Sequence, residues 1–387
     1  EKTFRERDRK NLFSSKLFPS RTWSAIMVPG LKTHTCVLTH GFLGRVVSPL
    51  IERRMELKRM RKTKGDLYDL QQNALKWLLV TCFGYTGYKN ARFGRIEAHE
   101  AICAWAREIL LDTISIAEDE GWEVLHAIVD CVWIENKKLE SREEKIEGAL
   151  QLAKRVTDKI GIPLEFEDIY DFIGFLPSRM HSAGSLTKYW AHGMNGFKLR
   201  GIESRQHSTC KWIKEIQNSA LEILKRGISN GMDFSRANIE SKIVEMLHSE
   251  LKRLYSNKIR YSDLIITKRV TKQINEFSVS TRTRVALIRA KRLGQNILPG
   301  RKVRYVATKK ITENPMSGVI LSQELNCGKN VDLDCKHYEN LAIRAIWSIL
   351  GPFGWTDEDI SKGSKKYTLF DFFESLNTKP AIDDSAY

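Results

Sequence analysis

The stretch "ALKWLLVTCFGYTGYKNARFGRIEAHEAICAWAREIL", residues 74–110, decides how the rest of the chain is read. Its first part completes a helix expected from about Asp69 to Cys82 and stopped by Gly84. After a Gly/Tyr/Asn-rich connection, residues 96–120 carry a helical pattern with Ile102, Trp105, Ile109 and Thr113 on the inward face, and Gly121 ends it. Upstream, residues 47–63 form another expected helix. Leu50, Ile51, Leu57 and Met60 mark its apolar side, and Arg54 and Lys58 stand four apart on another face. The break "TKGD" makes the first two helices antiparallel neighbours.

Downstream, "EVLHAIVDCVWIEN" is rich in strand formers and reads as a hairpin with Asp130 at its turn. Residues 141–160 are helical. "IPLEFEDIYDFIGFLPS" and "SLTKYWAHGMNGFKLRGIES" read as strands, with "HGMNG" as a turn. From about Cys210 the chain is mostly helical, with a strand at "RKVRYVATKK" and a helix over 336–350.

The 387 residues are 42% hydrophobic and 28% charged, an ordinary globular balance with room for two or three domains. No run approaches the roughly 18 apolar residues of a membrane helix. The start, "EKTFRERDRK", is not followed by an apolar segment, which argues against a signal peptide, and the missing initiator Met points to a longer natural chain. The net charge of +16 is spread along the whole chain. That balance favours a polyanionic partner, most simply nucleic acid; a basic protein without such a partner is the alternative. The seven cysteines include no CxxC pair, and Cys82, Cys103 and Cys131 lie in apolar stretches, as expected of reduced, buried thiols in a cytoplasmic protein without a zinc site.

Residues 74–110 resemble the segment joining fingers to palm in archaeal family B DNA polymerases. The family motif is Lys, three residues, then Asn-Ser-x-Tyr-Gly. Here it runs Lys76, Trp77-Leu78-Leu79, Val80-Thr81-Cys82-Phe83-Gly84: Lys and Gly are kept, Asn has become Val80 and Tyr has become Phe83. "YTGYKNARF", "GFLGRVV", "RGIESR", "SDLIITKRV" and "LPGRKVRYV" extend the resemblance in the family's order. It implies an α+β polymerase right hand: an antiparallel-sheet palm, two-helix fingers, a mostly helical thumb and no exonuclease domain. The implied division is palm over 1–45, fingers 46–94, palm 95–205, thumb 206–355 and a tail 356–387. Arg54, Lys58 and Lys76 fall at the family's triphosphate-binding positions, with Phe83 and Gly84 beside them. Basic groups on two adjacent helices can hold a dNTP's charge while leaving room for its base. Taken alone, an Arg/Lys pair four apart would read as a solvated basic face.

The palm hairpin of the family carries Asp-Thr-Asp, which aligns with Ile128-Val129-Asp130. Asp130 then stands as catalytic residue and metal ligand, and the first carboxylate is lost at Ile128; by sequence alone an aspartate at a turn is a structural residue. The family's other motif aligns with "LFSSKLFPSRTWSAIMVP", putting Phe13 in place of an aspartate and Phe18 in place of the tyrosine under the sugar. Two Mg²⁺ ions implied by the family would therefore lack ligands, since phenylalanine offers none. Misplacing one ion could cost about a thousandfold, roughly 4 kcal/mol of barrier. Asp8, Asp112 and Glu135 are the acids that might replace the lost ligand.

Lys188 and Tyr189 match the end of the family's duplex-holding Lys-Lys-Arg-Tyr segment, with Leu186 and Thr187 in place of the first two lysines, and Arg200 and Arg205 follow by type and spacing. Such groups neutralise phosphates without reading sequence. "TKRVTK" and "RTRVALIRAKR" could follow the minor groove. The tail "KKYTLFDFF" resembles a sliding-clamp-binding box, with Lys366 replacing Gln and Leu369, Phe372 and Phe373 in place; an apolar tail docked on its own thumb is the other reading. The resemblance as a whole implies a DNA-directed DNA polymerase of the archaeal branch with degenerate catalytic motifs. It would bind primer-template DNA and dNTP, with weak or specialised transfer, in replication or repair, and partners would include a sliding clamp and other polymerase subunits. The expected location is cytoplasmic and nucleoid-associated, off the membrane. The alternative is a catalytically inactive DNA-binding paralogue with a structural or regulatory role.

Overall fold

Gly65 has φ +89° and is the single residue between α1 (Phe42–Lys64) and α2 (Asp66–Thr86), its N–H capping α1 on the carbonyl of Arg61. A side chain is rarely tolerated there, so glycine permits the tight reversal that lays the two helices together. The computed structural model describes residues 25–36, 41–178, 184–229, 239–311, 314, 316–325 and 331–364. The chain divides after Glu167 into two compact units, and among the described residues every strand pair is antiparallel.

In the first unit, α2 begins before the expected Asp69 and runs through Gly84 to Thr86. An interior glycine costs about 1 kcal/mol. Contacts just beyond it outweigh that cost: the Thr86 hydroxyl donates to the Phe83 carbonyl at 2.6 Å and meets His99 of α3 (Ile96–Asp119) at 3.0 Å. The buried residues of α3 are Ala104, Thr113, Ile116 and Ala117, whereas Ile102 is exposed. The apolar core lies at the C-terminal half of that helix, where Ile116, Trp122, Leu152, Val156 and Ile160 meet, so the expected inward face holds only there. Cys103 is exposed for the same reason, and Cys82 and Cys131 are half-buried rather than buried.

After Gly121, at φ +82°, β3 (Glu123–Ile128) and β4 (Cys131–Glu135) form the expected hairpin, with Ile128 opposite Cys131. α4 (Arg142–Ile160) follows, with a capping box between Ser141 and Glu144 and Gly161 in the left-handed conformation at its end. Two short strands, β1 (Ala25–Met27) and β2 (His34–Cys36), pair upstream, and the Trp105 indole donates to Thr35 at 3.2 Å.

The second unit opens with the sheet β5 (Tyr170–Pro177), β6 (Gly184–Gly193) and β7 (Gly196–Arg200) in chain order. Helices α5 (Lys211–Ser229), α6 (Ile239–Tyr255) and α8 (Cys335–Leu350) pack on one another. A second sheet, ordered β10 (Val319–Leu321), β9 (Lys302–Ala307), β8 (Ile266–Arg269), is covered by α7 (Arg282–Arg292), and a short α9 (Asp357–Lys362) closes on α8. Trp190 of β6 is buried and donates to the Ser348 carbonyl at 3.0 Å, tying the first sheet to α8; a side chain at Gly174 would collide with its ring.

Tyr338 is wholly buried, and its hydroxyl accepts from Ala307 N–H at 2.9 Å and donates to the Leu264 carbonyl at 2.8 Å. Burial pushes this phenol far above its ordinary pKa. Tyr338→Phe strands both backbone groups, and we expect a loss of about 2 kcal/mol and a midpoint lower by roughly 5 °C. Calorimetry of the variant checks this, and an unchanged transition would contradict it.

Candidate nucleotide and nucleic-acid site

Leu43, Val47, Leu50, Arg54 and Leu57 recur on α1 at spacings of four and three and are all at least partly buried. Ile51, expected inward, is exposed, and Lys58, four residues on from Arg54 and likewise partly buried, shares a side of the helix with it; the inward seam thus includes Arg54. Its Nε is shielded from solvent and has no hydrogen-bond partner among the described residues. On α2, Lys76 is exposed and makes no ion pair among those residues. Arg54 and Lys76 each stand eleven residues from Gly65, so the antiparallel hairpin brings them to about the same level. Lys58 is engaged: its Nζ lies 2.5 Å from the carboxylate of Glu165.

Lys76, Val80 and Phe83 follow one another at four and three residues, which places them on one face of α2. Phe83 is 40% exposed and its ring stacks on His99, centroids 4.5 Å apart and planes at 23°. Gly84 sits in open space beside it.

Asp130 is exposed at the tip of the β3–β4 hairpin, beside Val129, which has φ +55° and is 74% exposed. Ile128 is half-buried at the end of β3. Glu135 ends β4 opposite Glu123, five residues of extended chain from Asp130, or about 16 Å. That separation removes Glu135 as a co-ligand. Among the described residues no three His, Cys, Asp or Glu side chains converge as metal ligands. The described donors do not fit a two-ion site. Phe13, Phe18 and Asp8 lie outside the described residues, as do Lys366, Leu369, Phe372 and Phe373 of the tail.

In the second unit, Lys188 is exposed on β6 and Arg200 on β7, where Arg200 pairs with Tyr189 across the sheet. Tyr189 itself is buried, its ring 5.7 Å from that of Phe175, so its contribution is to hold the strand. Gly201, at φ +66°, presses against Thr187 and Lys188; an added Cβ would come within 2.5 Å of the Thr187 carbonyl. Arg205 is exposed in the 3₁₀ turn Glu203–Arg205. Gln217 of α5, wholly buried, fixes that turn by accepting from Ser204 N–H at 2.6 Å and donating to Glu203 at 2.9 Å and to the Ala345 carbonyl at 2.8 Å.

The model of the family described as "DNA polymerase family B" matches residues 31–352. The chain belongs to DNA polymerase family B. A "DNA polymerase" of Archaeoglobus fulgidus is 25% identical over 86% of this chain and 42% of its own length. "DNA polymerase 2" of Saccharolobus solfataricus is 34% identical over 42% of this chain and 22% of its own. The family B DNA polymerase of Pyrobaculum calidifontis shares the fold, with a TM-score of 0.55 at 22% identity, over 84% of this chain and 40% of that one. This family B chain thus spans at most about two fifths of the length of these relatives. No described helix is long and apolar enough to cross a membrane.

Three residues that hold sequence-predicted positions in place carry no local sequence signal. Glu165 meets Lys58 across 107 positions, His99 reaches Phe83 around a connecting loop, and Gln217 acts through a turn preceding its own helix. Val129 is different, because a β-branched residue at positive φ stores roughly 1–3 kcal/mol of strain. Asparagine tolerates that conformation. Val129→Asn is expected to raise the unfolding free energy of the first unit by about 1 kcal/mol, read from the denaturant midpoint; a midpoint at or below that of the parent chain would show that no strain is stored there.

Proposed function

We propose that this chain binds primer-template DNA and a dNTP as a polymerase right hand whose nucleotidyl transfer is weak or specialised. The fingers are residues 46–94, the palm is formed by 1–45 and 95–205, and the thumb is 206–355. The observation that carries the reading is Arg54, whose shielded Nε has no partner among the described residues. A buried donor left unmade costs about 1–3 kcal/mol, and a guanidinium cannot escape by losing its proton. A triphosphate crossing between α1 and α2, with Lys76 at the same level and Lys58 released from Glu165, would satisfy it. Lys188, Arg200 and Arg205 form a second cationic group suited to duplex phosphates, which would make binding strongly salt-dependent. The tail 356–387, with Lys366, Leu369, Phe372 and Phe373, is proposed to engage a sliding clamp.

Ile128 and the unfitted donor set support a second reading, in which the chain is a catalytically inactive paralogue that occupies primer ends as a structural or regulatory factor. Primer extension with Mg²⁺ or Mn²⁺ separates the two. Slow extension by the parent chain, lost in Asp130→Ala, is the expected outcome. Equal traces in both would remove template-directed synthesis and leave the inactive paralogue.

A further inference from the structure

Phe83 is the exposed aromatic on the face of α2 that carries Lys76, and its ring is backed by His99. The backing residue, His99, is itself fixed on three sides. Phe83 stacks on one face of the imidazole. Gly87 lies against it so closely that an added Cβ would sit 3.0 Å from Cγ of the ring. At its edge, Nδ1 is 3.0 Å from Oγ1 of the buried Thr86. The Thr86 hydroxyl has one hydrogen and donates it to the Phe83 carbonyl at 2.6 Å. It can therefore only accept from His99, so the proton of the neutral imidazole resides on Nδ1. One threonine thus ties both the backbone of Phe83 and the ring beneath its side chain.

We propose that His99 is a positioning residue of the nucleotide site, holding the Phe83 ring as a flat platform on which the base of a bound dNTP stacks. This rests on the nucleotide-binding reading above. Val80 and Phe83 carry no polar side-chain atoms, so stacking and shape, rather than hydrogen bonds from this face, would hold the base.

The test uses the full chain with a dideoxy-terminated primer, a template carrying 2-aminopurine at the coding position, and Ca²⁺, so that binding is read without chemistry. Saturable change in the 2-aminopurine fluorescence with dTTP is expected for the parent chain. His99→Ala should weaken dTTP binding roughly fivefold while leaving DNA affinity unchanged, with only the small drop in thermal midpoint that the loss of one hydrogen bond to Thr86 brings. His99→Phe, which keeps a ring but not the bond to Thr86, should recover most of the loss. Unchanged dTTP affinity in His99→Ala, alongside weakened affinity in Phe83→Ala, would overturn the role of His99 alone. Parallel loss of dTTP binding, DNA binding and stability would reduce His99 to a packing residue. No saturable dTTP response from the parent chain would overturn the nucleotide reading itself, and the proposal with it.

Discussion

An arginine set into the seam between two helices is tolerable only if something answers its charge. Arg54 occupies such a position, between Leu50 and Leu57 on the inward side of α1, with its Nε out of reach of water. Three nearby acids are engaged by other cations: Glu56 by Arg53 at 2.9 Å, Asp69 by Arg61 at 2.9 Å, and Glu165 by Lys58 at 2.5 Å. The last pair is partly exposed on both sides and so is worth little. The carboxylate resting on Lys58 can therefore be exchanged for another anion at small cost. The helix hairpin keeps its cations poised, and Gly65 sets the level at which they meet.

The hairpin that carries Asp130 shows the opposite tendency. At the hairpin tip a single carboxylate, Asp130, stands exposed next to a valine at positive φ. On the proposed reading electrostatics favours binding of anions over their activation, because cations stand on the helix hairpin while no three His, Cys, Asp or Glu side chains converge as metal ligands among the described residues. In the second unit the cationic residues are held with equal care. Gly201 gives Arg200 and Lys188 their close approach, and Gln217 spends every hydrogen bond it has mapped there on the turn bearing Arg205 and on α8.

Much of the fold was legible because it is local. The hairpin around Asp130 follows from two runs of strand formers, α4 from its Ser141 cap and Gly161 stop, and the turn at 194–195 from its glycines. Gly84 misled because a helix-breaking residue was judged without the contacts that Thr86 makes beyond it. At Arg54 a charged residue interrupts the four-three apolar repeat and hides its place in the seam. Ile102 was placed inside because periodicity identifies a face but not how far along the helix the core extends. For the site, the family resemblance supplies the proposed positions, whereas the pairing of Lys58 with Glu165 and the backing of Phe83 by His99 depend on tertiary approach that no spacing encodes.

The account stands or falls on whether the Arg54 seam takes a triphosphate. Equilibrium titration of dNTP into the chain bound to a chain-terminated primer-template, with Arg54→Ala alongside the parent, addresses this most directly. The parent should bind dNTP, and Arg54→Ala should bind it at least tenfold more weakly, about 1.4 kcal/mol, with its affinity for DNA intact. Equal dNTP affinity in the two proteins would contradict it.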